Sequence, residues 1–314
     1  MQTPDRARQS LRVGVCGSGH WARTVHLPGL AATPGIDLVG LWGRRPEQGR
    51  EVAAEFGIQA FDDFQDLLHQ VDAVSFALPP DTQASMALKA ADAGKHLLLE
   101  KPIATALSEA DRLVEVVTRR GLSAVVFLTR CFVDDAHELI ARARAGNHTR
   151  CEMSWSSKAL LPGTPFTASA WRNSEYGTLW DLGPHVLSIL VPVFGPVTAI
   201  AASRIRKAKF TSSLHHAGGA KSTMVLDQMD ETLTSPGSRE RYLFSGGDGV
   251  TEGGGFRSEP VRCFSLGASL LLETPAAALD PYGPNIRFGR DIVAVLDAAR
   301  RSIDAGGELV DVRY

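Results

Sequence analysis

The chain has 314 residues, long for one compact core and suited to two domains. Its hydrophobic fraction of 44% and charged fraction of 22% are those of a soluble globular protein. A formal net charge of -2 gives no basis for nucleic acid or an anionic membrane surface as partner.

The opening "MQTPDRARQS" is polar, lacks the apolar core of a signal peptide, and reads as a tail over residues 1–10. The longest strongly apolar run, "HVLSILVPVF", is too short to span a bilayer and contains Pro192. Cys16, Cys131, Cys151 and Cys263 form no C-x-x-C pair and no His/Cys cluster. Free thiols, no metal and a cytoplasmic location are therefore expected.

From 11 to 128, apolar runs alternate with helical patterns. Strands are predicted in "LRVGVC", "IDLVGLW", "DAVSFAL", "HLLLEK" and "SAVVFL". Helices are predicted in "ARTVHLPGLAA", "PEQGREVAAEFG", "TQASMALKAADAG" and "SEADRLVEVVTRRG", the last three closing on Gly57, Gly94 and Gly121 as C-cap glycines. Continuous apolar strands alternating with helices require a parallel sheet covered on both faces, so 11–128 reads as a doubly wound α/β Rossmann domain.

Residues 129–314 read as an α+β domain with an open, mainly antiparallel sheet. A helix in "DDAHELIARARAG" precedes strand-like "RCEMSWSSK", "VTAIAASRI" and "KSTMVLDQM". Residues 211–221 and 245–258 are expected as mobile loops. A final helix, "RDIVAVLDAARRSIDAGG", is a candidate to pack back on the first domain together with the tail.

Directly after the first strand, "VGVCGSGHWARTVH" carries Gly17-x-Gly19-x-x-Ala22. In this strand-to-helix context Gly17 permits the tight turn and Gly19 lets a pyrophosphate approach the backbone. Ala22 allows close packing of helix on sheet, and the helix N-terminus offers free N–H groups to the anion. His20, Trp21, Leu78 and Pro79 flank the same strand ends and join the expected cofactor contacts. At the end of the second strand, where an NAD site carries an acid, "LWGRRPE" offers Gly43, Arg44 and Arg45. Space at Gly43 and two guanidinium groups match a 2′-phosphate, so NADP is expected, with NAD as the alternative.

Two further motifs carry chemistry. Glu100-Lys101-Pro102 ends the strand "HLLLEK", on the edge where ligands bind in open parallel sheets, and Pro102 admits a cis bond. In "GTLWDLGPHVLSIL", Asp181 and His185 stand four residues apart. With a helix starting near Gly183 and Pro184 in its first turn, the carboxylate would orient the imidazole as a general acid/base or contact a substrate hydroxyl. Arg130, Trp155, Lys158, Trp171, Arg172, Asn173 and Tyr176 are candidate substrate contacts.

These motifs in this order resemble the Gfo/Idh/MocA oxidoreductase family, through "GSGHWARTVHLPGL", "LPPDTQASMALKAADAGKHLLLEKPIA" and "WRNSEYGTLWDLGPHVLSILVPVFG". The resemblance implies a Rossmann domain followed by an open-sheet domain that often forms the interface of a homodimer or homotetramer. It implies hydride transfer between NAD(P) and a carbonyl or secondary alcohol of a sugar-like small molecule. Lys101 then matches the family's E-K-P lysine, and Asp181 and His185 its D-x-x-x-H pair. The chain departs from the common pattern at Gln83-Ala84, at Ser188 and in "EYGTLWD". Two alternatives stand beside this reading: a non-catalytic dinucleotide-binding regulator, and a glycoside-cleaving enzyme using transient NAD oxidation.

Overall fold

The computed structural model describes residues 10–234, 237–273 and 280–314. Except for Ser10, the tail expected over 1–10 lies outside the described residues. In chain order the first elements are β1 (Leu11–Cys16), a π-helical turn (Ala22–His26), α1 (Leu27–Ala31), β2 (Ile36–Trp42), α2 (Pro46–Phe56) and β3 (Gln59–Phe61). Then come α3 (Phe64–Gln70), β4 (Ala73–Phe76), α4 (Pro80–Asp92), β5 (His96–Leu99), α5 (Leu107–Arg119) and β6 (Ala124–Val126). A 3-10 turn (Thr129–Phe132) leads to α6 (Asp134–Ala145), β7 (Arg150–Ser157), α7 (Gly177–Phe194), β8 (Val197–Arg206), β9 (Lys209–His216) and β10 (Lys221–Asp227). The last are β11 (Ser238–Gly247), β12 (Gly249–Gly253), α8 (Pro260–Ser269), α9 (Ile286–Asp304) and β13 (Val310–Asp311).

The chain divides into two compact units. The first takes its described residues from Met1–Glu100, Arg112–Phe127 and Glu259–Leu279. Its sheet has six parallel strands in the order β3-β2-β1-β4-β5-β6, the arrangement of a Rossmann fold. Val13, Val15, Val74, Phe76, Leu97, Leu98 and Leu99 are wholly buried, which is why these strands read as unbroken apolar runs. Gly57, Gly94 and Gly121 all adopt the left-handed conformation expected of glycines closing helices.

The second unit comprises Lys101–Asp111, Leu128–Ser258 and Asp280–Tyr314. Its seven strands run β12-β11-β7-β10-β9-β8-β13; β7 and β10 pair in parallel and all other pairs are antiparallel. The sheet is thus mixed but mainly antiparallel, as expected.

Three details differ from the sequence-based expectation. The downstream segment that returns to the first unit is Glu259–Leu279, through α8, whereas α9 packs on β8 and α7 of the second unit. Phe264 of α8 lies against His26 and Phe127, with ring centroids 4.2 Å and 4.9 Å apart. Residues 211–216 and 249–253, expected as loops, are paired strands: "FTSSLHH" alternates buried and half-buried positions despite its polar content. Finally, α7 begins at Gly177, not near Gly183, and carries Pro184 and Pro192 in its interior. Gly183 serves packing instead, since a Cβ there would come within 2.5 Å of Leu296 on α9. Burial on nearly every side outweighs the two prolines. This helix is long and apolar enough to cross a membrane, yet it forms the buried core of its unit.

Candidate active site

In the first unit the turn after β1 has the form its glycines suggested. Gly17 sits at φ +129°, where a Cβ would lie 2.5 Å from the Ala77 carbonyl oxygen, so only glycine fits. A Cβ on Gly19 would meet no protein atom within 4 Å. That open backbone, with helical residues starting at His20, is the cradle a pyrophosphate requires. The residues present therefore fit a dinucleotide.

The end of β2 corrects one expectation. The space beside Gly43 is filled by Ser18: a Cβ there would lie 2.5 Å from its Oγ and 3.0 Å from its Cβ. Gly43 is buried and serves this close approach rather than leaving room for a phosphate. Arg44 and Arg45 are both exposed at the start of α2, with side chains accessible to a ligand.

Glu100 organises the opposite side of this sheet edge. Its Oε1 accepts from Trp21 Nε1 at 2.6 Å and lies 3.2 Å from His26 Nε2, while His26 Nδ1 is 2.8 Å from Ser75 Oγ. The Gln83 carboxamide pairs with the Glu100 backbone like a neighbouring strand, donating to its carbonyl and accepting from its N–H, each at 2.8 Å. Gln83, a departure from the family pattern, thus pins the backbone immediately before Lys101. The Lys101–Pro102 peptide bond is cis. Leu78 is half-buried and Pro79 exposed at the N-terminus of α4.

The second unit gathers Lys101, Asp181, His185, Arg172, Arg130 and Trp155. Lys101 Nζ donates to Asp181 Oδ1 at 2.7 Å. Asp181 Oδ2 accepts from Arg172 Nε at 3.1 Å and from Gln228 Nε2 at 2.8 Å. Burial alone would raise the Asp181 carboxyl, but Lys101 and Arg172 more than reverse this and hold it below the usual carboxylate range. Asp181 is therefore ionised at working pH.

These partners correct the expected role of Asp181. Its oxygens bind Lys101, Arg172 and Gln228, so it does not orient the imidazole through a hydrogen bond. His185 is positioned by packing instead, its ring 5.7 Å from that of Trp155. Its Nδ1 is buried without a hydrogen-bond partner, which leaves Nε2 as the nitrogen able to reach a ligand. Burial, then the charges of Lys101 and Arg130, push the imidazole well below its ordinary value, with Asp181 opposing. His185 is neutral at neutral pH. Ser188 donates to the His185 carbonyl at 2.7 Å.

Of the remaining candidates, Arg172 is stacked between Phe166 and Trp171, its Cζ 4.6 Å and 4.3 Å from the ring centroids. Lys158 is half-buried. The Tyr176 hydroxyl is bound to Asp304, and Asn173 donates to the carbonyls of Thr167 and Ser169, so both support the 158–176 segment itself. Sequence reasoning missed Gln228, which follows β10 with no motif around it. It also missed Glu240, although "SRERYLF" alternates so as to place Glu240 on the face of Tyr242 and Phe244. Among the described residues no cluster of three His, Cys, Asp or Glu side chains is placed to hold a metal ion.

The chain resembles known proteins in sequence and in fold. Residues 11–128 match the family described as "Oxidoreductase family, NAD-binding Rossmann fold" (GFO_IDH_MocA). The chain is 29% identical over 203 residues to the dTDP-3,4-didehydro-2,6-dideoxy-alpha-D-glucose 3-reductase of Saccharopolyspora spinosa, covering 62% of this chain and 60% of that protein. It is 39% identical over 112 residues to the UDP-N-acetylglucosamine 3-dehydrogenase of Acidithiobacillus ferrooxidans, covering 36% of this chain and 35% of that protein. The chain thus matches less than two thirds of the length of these curated relatives. Among solved structures, GenD2 from gentamicin A biosynthesis in complex with NAD shares the fold with a TM-score of 0.83. The identity is 18%, and the match covers 100% of this chain and 99% of that one.

Proposed function

The chain belongs to the Gfo/Idh/MocA family of oxidoreductases, and we propose that it transfers a hydride between a nicotinamide dinucleotide and the secondary alcohol or ketone of a pyranose sugar. The observation that carries this reading is the joining of Lys101 to Asp181, one helical turn from a His185 whose Nδ1 is buried without a partner. The names of two relatives both place their chemistry at carbon 3 of a hexose, and carbon 3 is the position we favour here.

The nicotinamide, when bound, supplies or accepts the hydride. Everything else is done by side chains. Neutral His185 takes the hydroxyl proton of a carbinol at Nε2 as the alcohol is oxidised. The Lys101 ammonium, held by Asp181, faces the oxygen that gains negative charge and stabilises it in either direction. Asp181 keeps that ammonium in place and does not itself move a proton. A neutral imidazole at working pH supports the oxidative direction.

Arg44 and Arg45 support NADP(H) over NAD(H), because exposed guanidinium groups at this strand end can pair with a 2′-phosphate and no acid stands there to repel it. Ser18 against Gly43 moves any such phosphate outward, onto the arginines alone. Binding of NADPH and NADH to Arg44→Ala tests this: a loss confined to NADPH is expected, and equal loss of both rejects it. We further assign the outer face of the seven-stranded sheet to a homodimer or homotetramer interface, since Glu152, Ser154, Lys221, Thr223 and Arg241 leave that face exposed. The free thiols of Cys16, Cys131 and Cys151 support a cytoplasmic setting.

The reading is tested by supplying UDP- and dTDP-linked hexoses with NADP or NAD and following cofactor reduction. Turnover that depends on both Lys101 and His185 is the expected result. Turnover unchanged in Lys101→Met and His185→Gln rejects it.

A further inference from the structure

His185 is flanked by a second ion pair that the proposed chemistry does not use. Arg130, in the 3-10 turn, donates from a terminal nitrogen to Glu240 Oε2 on β11 at 2.6 Å. Tyr242 donates its hydroxyl to the other oxygen of Glu240 at 3.0 Å. All three side chains are buried: Arg130 and Glu240 are each 6% exposed and Tyr242 is fully enclosed. A buried ion pair adds little to stability compared with apolar residues of the same size, so its presence asks for another reason.

The geometry supplies one. The Arg130 guanidinium lies between two aromatic rings, its Cζ 5.1 Å from the centroid of Trp155 and 4.9 Å from that of Phe256. Trp155 is in turn the ring packed on His185. Arg130 Nε and Trp155 Nε1 are both buried without hydrogen-bond partners, so stacking and charge alone hold this contact. A chain of contacts therefore runs from Glu240 through Arg130 and Trp155 to the imidazole.

We propose that Arg130, locked in place by Glu240, is a positioning residue for His185: it seats Trp155 against the imidazole and presents a fixed positive charge on that side of the ring. Four charged groups face His185. Lys101 follows β5, Arg130 lies in the 3-10 turn, Arg172 stands before α7 and Asp181 is on α7 itself. Lys101 and Arg172 are both paired with Asp181, so their fields are offset by the one anion in the group. Arg130 does not share that anion: its counter-charge is Glu240, 2.6 Å from its terminal nitrogen. The consequence for turnover rests on His185 being the proton acceptor; the consequence for its titration does not.

The experiment is an NMR titration of the His185 ring in the full-length protein, assigned with His185→Gln, alongside kcat and KM against pH. Glu240→Gln keeps shape and removes the counter-charge, so the His185 midpoint should fall further. In the double variant Arg130→Met/Glu240→Gln the cation is gone and no charge is left unpaired. Its midpoint should rise by about one pH unit toward the ordinary imidazole value. The acid limb of kcat/KM should follow the same opposite shifts. Arg130→Lys should leave the midpoint near that of the wild type while altering the ring-current shift between Trp155 and His185. Midpoints that do not move, or that move in the same direction in Glu240→Gln and the double variant, overturn the proposal. Loss of folding in both would assign the pair to structure alone and would overturn it equally. Titration shifts as predicted with unchanged turnover would keep the device and reject His185 as the proton acceptor.

Discussion

Lys101 reaches Asp181 twice, donating to the carboxylate at 2.7 Å and to the main-chain carbonyl of the same residue at 2.8 Å. The lysine is thereby tied to a helix that its own segment does not belong to. The side chains are 12% and 10% exposed, so this is a pair largely withdrawn from solvent, unlike most ion pairs on the surface. Its partner on the other oxygen, Arg172, makes Asp181 the single anion between two cations.

Replacing that anion leaves the cations uncompensated. Asp181→Asn should therefore lower the thermal midpoint, since breaking one side of a buried pair costs about 3–5 kcal/mol. It should also lower kcat by about 100-fold or more, because Lys101 loses its position while Gln228 and the fold persist. Calorimetry and steady-state kinetics on the same sample check both effects. A variant with wild-type kcat would remove Asp181 from the machinery.

His185 carries a signature in stability as well as in rate. The native state holds it well below the ordinary imidazole value of 6.5, so the unfolded chain binds a proton there first. Its contribution is present above about pH 6.5 and is lost as pH falls from there toward the native value. His96 and His216 are also lowered and act in the same sense, so the difference between wild type and His185→Gln isolates this site. The wild type should lose more stability than the variant between pH 7 and pH 5 in denaturant melts. Parallel curves would contradict the assignment.

The two turn glycines should fail in different ways. Gly17→Ala places a Cβ against the Ala77 carbonyl at a positive φ, so folding itself suffers, by about 1–3 kcal/mol or more. Gly19→Ala meets no protein atom and should change stability by less than about 1 kcal/mol. Its methyl instead occupies the path of the pyrophosphate, and the dissociation constant of the dinucleotide should rise at least about tenfold. Denaturant melts paired with cofactor titration separate the two. Normal cofactor affinity in Gly19→Ala would show that the turn is not the cradle.

Gln83→Ala removes both hydrogen bonds to the Glu100 backbone and should cost about 1–3 kcal/mol, because the N–H and carbonyl are left part-buried. The effect on rate should fall on kcat rather than KM, since the clamp sets the backbone that carries Lys101. A rise in KM alone, at constant kcat, would detach Gln83 from the lysine.

Much of this architecture was legible because burial imposes patterns on sequence. Val13, Val15, Leu97 and Leu98 are covered on both faces of a parallel sheet, and such strands cannot be anything but apolar. Gly17 and Gly57 sit at positive φ, where few other residues serve. What could not be read depends on contacts distant in sequence. Gly183 resembles a helix start until Leu296 of α9 is placed against it, and Gly43 resembles empty space until Ser18 fills it. The motif residues Lys101, Asp181 and His185 were named from their order in the chain, and Arg172 as a candidate near them. Gln228 was not, because nothing local marks it as a partner of Asp181. Only Glu240 left a trace, as a charge on the buried face of an alternating strand.

Lys101 and His185 are assigned to hydride transfer at a sugar carbon. The test is incubation of a 3-keto nucleotide sugar with reduced nicotinamide cofactor carrying deuterium at both C4 positions, followed by mass spectrometry and NMR of the product. One deuterium is expected at carbon 3 of the sugar, and none in Lys101→Met that still binds cofactor. Deuterium retained in the cofactor with every keto sugar offered, or transfer undiminished in Lys101→Met, would contradict it.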